Sequence, residues 1–127
     1  MDELIERVSA AIGVDAEVAK SAIGHVLAFL QKELPDGPVA EFLDKVAGAR
    51  DAANAATADS ESGGGGLLGG LLSGGLMGLA GKLNALGLDM GQIQKLGHEI
   101  FGYAETVVGK EKVQQIANSI PGLSQFL

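Results

Sequence analysis

The sequence predicts an all-α fold, a small helical bundle made of two similar three-helix halves joined by an Ala/Gly-rich linker. Three observations lead there. Apolar residues recur every three or four positions over long stretches, with few strand-like alternations. Hydrophobic residues make up 46% of the chain, yet there are four Phe, one Tyr and no Trp, so the core is aliphatic. Finally, the chain can be laid over itself: a shift of 74 positions aligns residues 5–48 with 79–122 without a gap. Identity is confined to Ala11/Ala85, Gly13/Gly87, Asp15/Asp89, Val39/Val113 and Gly48/Gly122, but apolar positions and helix punctuation match throughout.

Each element follows from its own residues. Residues 3–12 place Leu4, Ile5, Val8, Ala11 and Ile12 on one helix face. Gly13 suits a helix C′ position, where positive φ costs glycine little. Asp15 suits the N-cap of the next helix, its carboxylate accepting an orphan backbone N–H. Residues 16–34 form the longest helix of the first half, with Val18, Ala22, Ile23, Val26, Leu27 and Leu30 inward. Pro35-Asp36-Gly37-Pro38 breaks it, and Pro38 opens a third helix over 38–47, with Val39, Phe42, Leu43 and Val46 inward.

Residues 49–66 read as a linker: 49–57 are Ala-rich and fit at most a frayed helix, and 58–66 are polar, then glycine. The plan then recurs. A helix runs to Leu86, Gly87 stops it, Asp89 caps a long helix over 90–108, Gly109 ends that one, and the last helix covers 110–120. The division is thus one domain over 1–127: a first half at 1–48, a linker at 49–66, and a Gly-rich helix with the second half at 67–127. Each unit carries too little apolar surface to stand alone, so two must cover each other, within one chain or between chains.

Charge narrows the function classes. The net charge is −7, without a Lys/Arg cluster. Nucleic-acid binding, which needs phosphate-neutralising cations, is not expected, and anionic lipid is disfavoured. The chain has no cysteine, which excludes disulfides, thiolate metal sites and a Cys nucleophile. The acidic, amphipathic N-terminus lacks the basic start and apolar run of a secretion signal, so a cytoplasmic location is expected.

Residues 62–81 carry no charge, and half of them are glycine. Gly66, Gly70, Gly74 and Gly78 fall four apart, so a helix here would present a bare stripe beside Leu71 and its neighbours, allowing close approach of a second helix. Three readings compete: a flexible apolar linker, a glycine-zipper helix packed internally or across a homodimer, and a membrane-associated segment. Six glycines between 66 and 78 cost a helix roughly 6 kcal/mol relative to alanine, which favours the linker unless packing offsets it.

Catalytic and cofactor patterns are weak. The glycine runs lack the Gly-Lys-Ser/Thr of a phosphate loop and the strand–helix context of a dinucleotide fingerprint. His25, His98 and Glu99 are the one conceivable two-His, one-carboxylate set, and isolated helix histidines account for them better. The expectation is no enzyme, no cofactor and no metal.

Two resemblances add to this. Leu4-Ile5-Glu6-Arg7-Val8, Gly13-Val14-Asp15, Val26-Leu27, Leu34-Pro35, the Gly-rich middle and Ile120-Pro121-Gly122-Leu123 resemble small bacterial proteins of the VcgC/VcgE-like group. That resemblance implies a small helical bundle and carries over no functional residue. Residues 2–34 are similar to the helical dimerisation hairpin of histone-like HU proteins. No β-ribbon arm or basic stripe follows, so the likeness implies helical dimerisation without DNA binding. The expected role is a non-enzymatic interaction or self-association module whose partner is itself, as a homodimer, or another protein. Its candidate contacts are Gly66, Gly70, Leu71, Gly74 and Gly78, and its structural caps are Gly13, Asp15, Gly87 and Asp89.

Overall fold

The computed structural model describes residues 2–34, 36–62 and 76–120. Among them are seven helices and no strand: α1 (Asp2–Ile12), α2 (Ala16–Glu33), α3 (Pro38–Lys45), α4 (Ala49–Ser62), α5 (Leu76–Ala85), α6 (Met90–Val108) and α7 (Lys110–Ser119). The all-α class is therefore observed.

The two hairpin turns are built alike. Gly13 has φ +69° and Gly87 has φ +94°. The Val14 N–H donates to the Ser9 carbonyl, and the Leu88 N–H to the Leu83 carbonyl. Each is the six-to-one bond of a Schellman ending, which satisfies a carbonyl the helix leaves free. The following N-caps differ. Asp89 accepts from the Gln92 N–H at 2.7 Å while the Gln92 side chain accepts from the Asp89 N–H at 2.9 Å, a reciprocal capping box. Asp15 occupies the same place with extended backbone but makes no side-chain cap bond, contrary to the sequence expectation. Its third helical residue is Val18, which has no polar group to complete a box.

The two long helices bury matching faces. Ala19, Ala22, Ile23, Val26, Leu27 and Leu30 of α2 fall, at a constant separation of 74, on Ile93, Leu96, Gly97, Ile100, Phe101 and Ala104 of α6, and all twelve are buried. Val39, Phe42 and Leu43 of α3 likewise fall on Val113, Ile116 and Ala117 of α7. The first helices keep this relation less well. The buried Leu79 and Leu83 of α5 fall on Ile5 and Ser9, one position beyond the buried Leu4 and Val8 of α1. Packing crosses between the units, with α1 lying chiefly on α6 and α5 on α2, so one apolar cluster spans both.

The sequence expectation of a linker at 49–66 is corrected over 49–62, which form α4. This helix packs on α2 more extensively than any other pair of helices packs. Ala49, Ala52, Ala53 and Ala56 are all buried, and their i, i+3, i+4, i+7 spacing makes one stripe. The absence of large apolar residues, which pointed to a linker, is what permits close packing. A Cβ at Gly24 would lie 2.8 Å from the Ala52 carbonyl oxygen and 3.4 Å from the Ala56 Cβ. Residues 63–66 lie outside the described part.

Candidate functional site

Of the candidate contacts, Gly66, Gly70, Leu71 and Gly74 lie outside the described residues, and Gly78 lies in the first turn of α5. The helices on either side of this segment share a support: α4 and α5 both pack on α2.

The close, small-residue helix contact that glycine spacing pointed to at 66–78 is present at α2–α4, between Gly24 and the alanine stripe. Sequence reading missed it because Gly24 stands alone in an apolar helix. The signal was the alanine spacing of 49–56, which is helical although no side chain in it is large.

A polar and aromatic seam runs where residues 2–46 meet 76–120. Arg7 on α1 donates to Glu99 on α6 at 3.3 Å, and its guanidinium lies 6.0 Å from the centre of the Tyr103 ring. Tyr103 meets Phe42 of α3 edge to face, with centroids 6.3 Å apart at 89°. One residue earlier, Glu41 accepts from Lys112 on α7 and pairs with Lys45 at 2.9 Å. The Gln92 side chain, besides closing its capping box, donates to the Ile12 carbonyl at 2.9 Å, tying the start of α6 to the end of α1. The ion-paired side chains are a quarter to a half exposed, so water and salt screen each pair and its contribution to stability is small.

Two expected outcomes follow. Gln92→Ala removes the box and the bond to Ile12 together, and should cost about 1–2 kcal/mol in chemical denaturation. Val18→Gln would supply at the matching position of α2 a side-chain oxygen to which the Asp15 N–H can donate, and should raise stability in the same measurement by about 0.5–1 kcal/mol.

The pair at Glu41 also sets a pH dependence. Hydrogen bonding from Lys112, then from Lys45, holds its carboxyl below its ordinary value of 4.5. The folded protein therefore keeps Glu41 charged at pH values where the unfolded chain has begun to take up a proton. The resulting stabilisation is fully present above pH 4.5 and is lost as pH falls through the lower folded value. Denaturant titrations between about pH 3 and 7 should show a shallower acid decline in Glu41→Gln than in the parent. Equal slopes would remove Glu41 from the acid response.

The histidine set does not assemble. Among the described residues no three His, Cys, Asp or Glu side chains converge to hold a metal. His98 is exposed, His25 is half-buried, and Glu99 is engaged by Arg7. His25, His98 and Glu99 thus form no metal-holding group among the described residues. The reason is helix geometry: His98 and Glu99 are adjacent on α6 and point about 100° apart. Among the described residues, too, no polar or charged residue is buried, so the polar chemistry of this part of the protein lies at its surface and along the seam.

No protein-family model matches this chain, and no curated protein or solved structure is significantly similar to it.

Proposed function

We propose that the protein is a non-enzymatic interaction module that associates with itself, built from two similar three-helix units and presenting the uncharged segment 62–81 as its contact. The observation that carries this is the shared support of the segment: α4 and α5, its two flanking helices, both pack on α2. Function-bearing segments are commonly positioned by a rigid scaffold. The coincidence of buried positions between α2–α3 and α6–α7 supports the two-unit reading, since unrelated helical hairpins need not bury the same register. A cytoplasmic homodimer is the form this reading favours, and the net charge of −7 argues against nucleic acid as the partner.

The test is absolute mass by light scattering on a sizing column without detergent. The expected result is a discrete dimer in the parent and a monomer in Gly74→Leu, with helical signal and melting unchanged. Identical masses in the two proteins would overturn the role of the segment.

A second reading, membrane association, is favoured by the lack of any charge from Ser62 to Gly81. No helix among the described residues is long and apolar enough to cross a membrane. Flotation with neutral lipid vesicles, resistant to high salt, would promote this reading.

A further inference from the structure

Two like units pose a recognition problem: a surface that fits the opposite unit is close to fitting a copy of its own. The overlay shows what would happen at each seam contact if like met like. Glu99 corresponds to His25 and Lys112 to Pro38, while Arg7 corresponds to Gly81 and Glu41 to Gln115. Two first units would therefore set Arg7 against His25 and Glu41 against Pro38. Two second units would set Gly81 against Glu99 and Gln115 against Lys112. Neither pairing reproduces an ion pair. Only opposite units place Arg7 on Glu99 and Glu41 on Lys112. The apolar positions of α2–α3 and α6–α7 discriminate far less, because their buried positions coincide.

We propose that Arg7–Glu99 and Glu41–Lys112 are partner-selecting pairs, which make residues 2–46 recognise residues 76–120 rather than a like unit, within one chain or on a second copy of it. This rests on the two-unit reading above but not on the role of 62–81. A second copy then enters by exchange, its first unit taking the seam of the other chain's second unit. In the closed monomer the covalent connection between the units holds them at a high effective concentration. Exchange therefore becomes visible when the closed form is penalised and the exchanged form is not.

Charge reversal creates that condition. One variant carries Arg7→Glu with Lys112→Glu, so that acid faces acid at both contacts. The other carries Glu41→Lys with Glu99→Arg, so that base faces base. In each the closed monomer holds two like-charge contacts, whereas an exchanged heterodimer of the two restores four ion pairs. Lys45 stays beside position 41 throughout and weakens the second variant further.

The experiment mixes the two full-length variants, each in the Gly74→Leu background that removes association through 62–81, and reads mass by light scattering. The expected result is a species of twice the monomer mass, at least about tenfold more abundant than in either variant alone at equal total concentration. It should fade near 1 M salt, where the screening length falls to about 3 Å. Two exposed sets of charges away from the seam, Lys20→Glu with Lys32→Glu and Glu17→Lys with Glu33→Lys, give the same change in net charge. Their mixture should stay monomeric, which excludes bulk attraction. If the seam variants are unfolded alone, recovery of helical signal on mixing gives the same support. The four substitutions combined in one chain should restore the mass and melting behaviour of Gly74→Leu alone. A mixture that behaves as the sum of its parts, equal heterodimer from the control set, or no recovery in the fourfold variant would each overturn the proposal. Gly74→Leu is common to every protein compared, so failure of the segment 62–81 reading is distinguishable from failure here.

Discussion

Gly24→Ala should lower stability by about 2 kcal/mol, although alanine is the better helix former by about 1 kcal/mol. The added methyl would sit 2.8 Å from the Ala52 carbonyl oxygen, which is backbone and has no rotamer to change. Relief requires α4 to move away from α2, reducing the burial of four alanines. Overpacking of this kind costs typically 1–3 kcal/mol, and in a chain of this size 2 kcal/mol lowers Tm by roughly 8 °C. Gly24→Leu should go further and detach α4, so that trypsin cuts after Arg50, in the first turn of α4, well before the rest of the bundle. Gly81→Ala is the control. Nothing lies within 4 Å of its added Cβ, and the expected change is a gain of up to about 1 kcal/mol. Thermal melts of the three variants check the set. A neutral or stabilising Gly24→Ala would mean that α4 does not approach α2 this closely in solution.

Truncation of the matched core positions should have the largest effect overall. Leu27 is fully buried near the middle of α2, and Phe101, at the corresponding position of α6, is 2% exposed. Leu27→Ala should cost about 2–5 kcal/mol and Phe101→Ala about 3–5 kcal/mol, from lost transfer energy and the cavity left behind. Either is a large part of the 5–15 kcal/mol typical of a whole domain. Both side chains belong to one cluster spanning the two units, so each loss should weaken the whole bundle and leave a single unfolding transition. Separate transitions in denaturant for the two variants would show that the units unfold independently.

Much of the fold was legible in local sequence. The turns at Gly13 and Gly87, the break at Pro35–Pro38, the capping role of Asp89 and the inward face of α2 each rest on interactions within a few residues. Spacing and side-chain chemistry are sufficient for such features. Residues 49–62 were misread because their packing depends on a partner 25 or more positions away. An alanine stripe has little hydrophobic value until a glycine elsewhere lets the helices close on it. Asp15 takes the expected N-cap position without the expected side-chain bond, and Val18 offers no side chain for the reciprocal half of a box. Of the proposed contact, only Gly78 falls in the described structure, so the spacing of the glycines remains its main argument.

The sequence by itself determined the helical class, the helix ends and the repeated register of buried positions, because these are set by short-range periodicity and backbone preference. Tertiary structure alone decided which helix lies on which. It placed α1 on α6, α5 on α2 and α4 against Gly24, and it brought Arg7 to Glu99 and Glu41 to Lys112. Corresponding positions of α2 and α6, and of α3 and α7, are buried alike, and apolar burial has no direction. The choice of partner therefore falls to steric close approach and charge complementarity, which exist only once distant segments have met.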